Sequence, residues 1–166
     1  PDQNSSEHFV KLCKKYNMHF ISIDMDPECS NNVKNVCIKY NFTDYEIYTM
    51  KGEDFLKSYT NKIDFIYLDA FDFWHDHHTK KRYESYKKYM NCTITNELCH
   101  KMHLECCEHL IKNNLLNKNS IICLDDILDI NANRGKGVLS VPYLLKNDMK
   151  CLIWKGNGMI FMPSNM

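Results

Sequence analysis

Short, nearly unbroken apolar runs alternate along this sequence with stretches whose apolar residues recur every three or four positions. Three of the runs close on aspartate: residues 19–23 lead into Asp24, 63–68 into Asp69, and 120–124 into Asp125 and Asp126. Apolar runs of this length read as strands covered on both faces, the habit of a parallel sheet. Parallel neighbours need a crossover, which the helical stretches supply. The expected fold class is therefore α/β: a mostly parallel sheet with helices on both faces.

Strands are expected at 19–23, 45–49, 63–68, 120–124, 149–154 and 158–162. The Gly156-Asn157-Gly158 turn joins the last two into a C-terminal antiparallel hairpin. The spacing predicts a helix over 5–16, with Phe9, Val10 and Cys13 inward. A second starts at Pro27, a residue suited to a first helical turn, and buries Val33, Val36 and Cys37. Further helices are expected over 52–59, around 81–90, over 97–112 (Leu98, Met102, Cys106 and Leu110 on one stripe) and over 138–146. Residues 71–95 form a polar and aromatic insertion. Neither repeats nor a low-complexity linker interrupts the pattern, so 1–166 is expected to be a single domain.

A chain of 166 residues suffices for one domain with a sizeable core. Lys+Arg and Asp+Glu balance at 21 each, which argues against a nucleic-acid or anionic-membrane partner. No apolar run approaches the length of a membrane-spanning helix, and the first ten residues are too polar for a signal peptide. Nine cysteines, an odd number with no Cys-x-x-Cys, signal neither a disulfide framework nor a zinc knuckle. Several lie inside apolar runs, so a reducing, cytoplasmic location with buried thiols is expected.

Acids at strand ends matter because ligands of open α/β sheets bind outside the carboxyl ends of the strands. Asp24 is placed either to accept hydrogen bonds from ribose hydroxyls or to cap the helix that begins at Pro27. The wider pattern is Asp24-Met25-Asp26-Pro27, then Lys51-Gly52-Glu53-Asp54-Phe55-Leu56, Ile63 through Asp69-Ala70, and Asn119 through Asp125-Asp126. Gly135-Lys136-Gly137, Val141-Pro142-Tyr143-Leu144-Leu145 and the terminal hairpin follow. In order and spacing this resembles the class I S-adenosylmethionine-dependent methyltransferases, a Rossmann-like family. The resemblance implies S-adenosyl-L-methionine as cofactor, held by Asp24, Met25, Glu53, Asp54 and Asp69. Asp24 would hold the ribose. Glu53 and Asp54 would lie beside the adenine, with Asp54 facing its exocyclic amine, and Asp69 would sit at the methyl-transfer end. The family's first strand and glycine-rich loop have no counterpart: Pro1 to Ser6 stands where that loop would enter the first helix, without a G-x-G. The domain is thus expected to be N-terminally incomplete, filled by another segment, or degenerate, with its sheet split between the strands of Asp24 and Asp69. A partner copy in a homo-oligomer could cover the gap.

Asp69, Asp125 and Asp126 would end adjacent strands about 5 Å apart. Two bare carboxylates at that distance repel by about 3 kcal/mol at an effective dielectric of 20. A proton, a Lys or Arg, or a divalent cation should offset this. All-oxygen ligation suits Mg2+ or Ca2+. An acid followed by an acid pair also resembles the cation-dependent O-methyltransferases, which implies metal ligation by Asp69, Asp125 and Asp126. In the insertion, His75, His77 and His78 offer a general base near neutral pH or a solvated loop tip. His75, nearest the strand end, is the candidate catalytic residue beside Asp69. The cluster from Cys99 to His109 cannot converge on one ion. Residues eight apart on a helix are about 12 Å apart, whereas zinc bonds are about 2.0–2.3 Å. Core packing is expected there. Two functions follow: methyl transfer to a hydroxyl of a small acceptor, or a non-catalytic Rossmann-like domain serving in an assembly. A nicotinamide oxidoreductase is disfavoured, since no dinucleotide fingerprint occurs.

Overall fold

The computed structural model describes residues 5–130 and 134–164. The contacts of the chain gather into two compact units, Pro1–Phe55 and Leu56–Met166.

The first unit runs α1 (Ser5–Tyr16), β1 (Phe20–Asp24), α2 (Pro27–Lys39) and β2 (Tyr45–Thr49), and ends inside α3 (Gly52–Ser58). β1 and β2 pair in parallel, from Phe20 opposite Tyr45 to Asp24 opposite Thr49. Val10 and Cys13 of α1 and Val33 and Cys37 of α2 meet Phe42 in a buried cluster. Burying side chains of this size is worth roughly 1.5–3 kcal/mol each, so the cluster fixes both helices. α2 starts where it does because the Asp26 carboxylate accepts the Glu28 N–H at 2.9 Å, and Pro27 needs no partner at the first helical position.

Helix ends are handled by asparagine, because the chain has only five glycines. Asn17, Asn41 and Asn114 take left-handed φ of 54°, 47° and 52°. The apolar residue after each donates its N–H five residues back: Met18 to Cys13 O, Phe42 to Cys37 O and Leu115 to Leu110 O, at 2.9–3.0 Å. This is the Schellman arrangement, with Asn accepting the left-handed position at small steric cost.

The second unit contains β3 (Ile63–Leu68), α4 (Lys80–Ser85) continuing as a π-helical turn (Tyr86–Met90), α5 (Asn96–Lys112), β4 (Leu116–Leu124), β5 (Ile127–Asp129), β6 (Arg134–Gly135), α6 (Ser140–Lys146), β7 (Met149–Lys155) and β8 (Gly158–Pro163). The sheet order is β3-β4-β8-β7, with β3 and β4 parallel and the β7–β8 hairpin antiparallel to β4. Leu110, Ile122, Leu124, Leu144 and Phe161 are fully buried in its core.

Every expected strand and helix is present within a few residues, and the chain has the α/β, Rossmann-like architecture. β1 pairs with β2 and β3 with β4, while no ladder among the described residues joins β1 to β3. β4 begins at Leu116 rather than Ser120, because Asn117 to Ser120 bulge outward between the Ile63–Leu116 and Phe65–Ile121 pairs. Ser120 closes the bulge: its hydroxyl accepts the Asn117 N–H at 2.7 Å and donates to Ile63 O at 2.6 Å. The short β5–β6 ribbon is absent from the strands expected above. A two-residue strand carries no periodicity to detect.

Candidate active site

In the second unit, β3 and β4 lie side by side with Leu68 opposite Leu124, so Asp69 and Asp125 leave the sheet together. Asp125 stays tied to the neighbouring strand by its N–H, which reaches Leu68 O at 3.1 Å. Its carboxylate is committed as well: Tyr67 Oη donates to Oδ2, and the Asp126 N–H donates to Oδ1 at 2.8 Å. Burial, reinforced by that bond to Asp125, pushes the Tyr67 phenol well above its usual range.

Between Asp69 and Asp126 lies Lys136. Its ammonium donates to Asp69 Oδ1, approaches Asp126 Oδ2 at 3.1 Å and lies 3.4 Å from the Asp69 carbonyl. The Lys136 side chain is 2% exposed, while those of Asp69 and Asp126 are 43% and 37% exposed. Burial would lower the Lys136 pKa, but Asp69 and Asp126 more than reverse this and raise it. Asp69 is raised, mainly by burial and further by Asp125 and Asp126, with Lys136 acting in opposition.

Glycines on either side let Lys136 reach this position. Gly135 has φ +82°, and a Cβ there would stand 2.3 Å from Asp126 O and 2.7 Å from Leu128 N. A Cβ at Gly137 would press on Ile127 Cδ1 at 2.6 Å. Strand β6 is thereby drawn against β5, and the Lys136 N–H bonds Asp126 O at 2.9 Å. Helix α5 holds both loops from behind. His100 Nε2 pairs with Gly135 O at 2.9 Å, and His103 Nε2 with Ala70 O at 2.6 Å. An acceptor carbonyl requires the Nε2–H tautomer at His103, which leaves its buried Nδ1 with no hydrogen-bond partner. Burial, followed by the charge of Lys136, pushes the His103 pKa down to about 3. Cys99, His100, His103, Cys106 and Cys107 of this helix are buried in the core, and the two histidines among them serve as backbone clamps.

The insertion is fastened to the end of β3. Phe71 adopts a left-handed φ of 53°, which costs a bulky residue about 1–2 kcal/mol. Tyr86 compensates: its ring meets Phe71 edge-on at 4.7 Å, and its hydroxyl accepts the Asp72 N–H at 2.7 Å. Arg82 pairs with Asp72 at 2.5 Å and, against the opposing effect of burial, holds that carboxyl below its ordinary range. His75 stacks on His78 with ring centroids 3.7 Å apart, and its Nδ1 accepts the His77 N–H at 3.1 Å. Burial and the neighbouring imidazoles lower its pKa.

The expected cofactor residues Asp24, Met25, Glu53 and Asp54 belong to the first unit. Asp24 and Met25 are half-buried at the end of β1, and Asp24 Oδ1 accepts the Asp26 N–H at 2.7 Å. Capping of α2 falls to Asp26, so the carboxylate of Asp24 braces the turn rather than the helix. Glu53 is buried and Asp54 exposed in the first turn of α3.

The arrangement does not support the Mg2+ site expected from Asp69, Asp125 and Asp126. Among the described residues no three His, Cys, Asp or Glu side chains are grouped to hold a metal ion. The reason is visible in the cluster: Lys136 stands between Asp69 and Asp126, and Tyr67 draws Asp125 aside. Sequence reasoning missed Lys136, Tyr67, His100 and His103 as parts of the site. The signal available for Lys136 was a lone lysine between two glycines in a chain poor in glycine.

No family model and no curated protein matches the chain. Solved structures do. The ribosomal protein L11 methylase from Lactobacillus delbrueckii subsp. bulgaricus aligns with 96% of this chain at 11% identity and a TM-score of 0.56. A methyltransferase homolog protein from Pyrococcus horikoshii aligns with 84% of it at 13% identity and a TM-score of 0.57. The chain spans 66% and 40% of the lengths of these two proteins. The SAH-bound Podospora anserina methyltransferase PaMTH1 aligns with 98% of this chain and 79% of its own, at 12% identity and a TM-score of 0.55. The chain therefore has the class I S-adenosylmethionine-dependent methyltransferase fold. Among the described residues no helix is long and apolar enough to cross a membrane, and none of the nine cysteines is in a disulfide.

Proposed function

We propose that this protein is an S-adenosyl-L-methionine-dependent methyltransferase acting on a hydroxyl oxygen of a small-molecule acceptor. The observation that carries this reading is the set of acids at the ends of β1, β3 and β4 in a class I methyltransferase fold. One protein of this fold, from Podospora anserina, is solved with SAH, the demethylated cofactor. In this reading Asp24, oriented by the Asp26 N–H, accepts the ribose hydroxyls. Met25, Glu53 and Asp54 serve the adenosine, and Asp69 serves the methyl-transfer end. Bound S-adenosylmethionine would supply an activated methyl group for in-line transfer to the acceptor oxygen, with the S–CH3 bond broken as the O–CH3 bond forms and S-adenosylhomocysteine released. The hydroxyl proton passes to a base, with Asp69 and His75 as the candidates. Proximity and orientation supply most of the acceleration.

Calorimetry with S-adenosylmethionine and S-adenosylhomocysteine on the full-length protein tests this. Asp24→Ala removes charge-assisted hydrogen bonds worth about 1.5–3 kcal/mol each, so affinity should fall at least about tenfold. No heat at millimolar ligand would remove the proposal.

A further inference from the structure

Three oxygens converge on one point in the second unit: Asp69 Oδ1, Asp126 Oδ2 and the Asp69 carbonyl. Strand-end carboxylates grouped in this way ordinarily require a cation. Here the chain supplies its own, brought from 67 residues away in sequence. Lys136 cannot swing aside. Its stem is buried, its backbone N–H is bonded to Asp126 O, and close packing at Gly135 and Gly137 fixes the segment on both sides. A divalent ion placed between the two carboxylates would meet a fixed ammonium within a few ångströms, a repulsion that water at the half-exposed carboxylates screens only in part. Histidine 103, packed behind the same loop, adds no charge of its own.

We infer that the Lys136 ammonium is the resident cation of this cluster, replacing a divalent metal ion, and that removing its charge turns Asp69 and Asp126 into a divalent-cation site. The inference concerns the charge balance of the second unit and stands whether or not the protein transfers methyl groups.

The test uses Mn2+ as probe on the full-length protein, read by water-proton relaxation, with thermal unfolding followed in chelator and in millimolar MgCl2. The wild type should hold no chelatable Mn2+ and melt at the same temperature in both media. Lys136→Ala opens room for an ion and its waters. It should bind Mn2+ at least about tenfold more tightly than the wild type and melt higher in MgCl2 than in chelator. Adding Asp126→Asn should abolish both effects. Wild-type protein that binds Mn2+, with binding lost in Asp69→Asn plus Asp126→Asn, would overturn the inference, as would folded Lys136→Ala that ignores the ion. Should Lys136→Ala fail to fold, the comparison moves to Lys136→Met and the charge-free triple variant Asp69→Asn, Lys136→Met, Asp126→Asn. The triple variant should melt higher than Lys136→Met alone; equal or lower melting refutes the charge-balance argument.

Discussion

Replacing Gly135 with alanine should be among the most damaging single-methyl changes available in this protein. The residue sits at φ +82°, where an L side chain costs about 1–2 kcal/mol. Its new Cβ would lie 2.3 Å from Asp126 O and 2.7 Å from Leu128 N, both backbone atoms that cannot turn away. Relief requires β6 to move off β5. That movement forfeits the Lys136 N–H bond to Asp126 O, worth about 1 kcal/mol net, and drags the ammonium from its carboxylates. The total is about 2–3 kcal/mol, and more if the buried Lys136 loses either of its half-exposed carboxylates. Gly156 provides the control. It also has positive φ, +59°, but nothing lies within 4 Å of its Cβ position, so Gly156→Ala should cost only about 1 kcal/mol. Urea unfolding by tryptophan fluorescence suits the measurement, because Trp74 and Trp154 both lie in the second unit and report on it selectively. Equal losses at Gly135 and Gly156, or a loss below about 1 kcal/mol at Gly135, would refute the close-approach reasoning.

Two further outcomes follow from the same unit. Folding depresses the His103 pKa from 6.5 to about 3, so between those values the unfolded chain binds the extra proton. The stability that neutral His103 permits is present above 6.5 and is lost as pH falls toward 3. His103→Gln retains an N–H donor without titrating, so it should flatten the pH dependence of the urea midpoint across that window; an unchanged slope would count against the assignment. Ser120→Ala would strand the Asn117 N–H and leave Ile63 O without its 2.6 Å donor. It should cost about 1–3 kcal/mol; a loss well below about 1 kcal/mol in urea titrations would dismiss the bulge argument.

The strands and the larger helices are legible in the sequence because each carries its own period over enough residues. The strand-end acids are legible for the same reason, as they mark where an apolar run stops. Charge arithmetic also narrows the partner of Asp69 to a proton, a basic side chain or a metal ion. It cannot choose among them, because the choice depends on whether residue 136 lies beside residue 69, and only the β5–β6 ribbon and the two flanking glycines decide that. His100 and His103 are equally hidden. On a helix stripe they read as polar lapses among Cys99, Met102 and Cys106, and their purpose appears only when the carbonyls of Gly135 and Ala70 come within reach. Where glycine is scarce, the asparagines that end helices are also easily read as loop residues.

The choice of histidine for those two clamps has a physical logic of its own. A loop carbonyl beside a buried ion pair can be held by lysine, by arginine or by an imidazole N–H. A lysine or arginine at position 103 would add a second permanent positive charge next to Lys136, in a setting where charges are poorly screened, and would compete for Asp69. An imidazole kept unprotonated by burial and by Lys136 itself donates one hydrogen bond to Ala70 O and leaves the pairing of Lys136 with Asp69 and Asp126 undisturbed. The accompanying cost is the buried Nδ1 with no hydrogen-bond partner, about 1–3 kcal/mol by the usual penalty for an unmet polar group. Stability is thus given up at the back of the site while the charge balance at its front is preserved. That ordering is intelligible if the ionic state of Asp69 is what the arrangement exists to control.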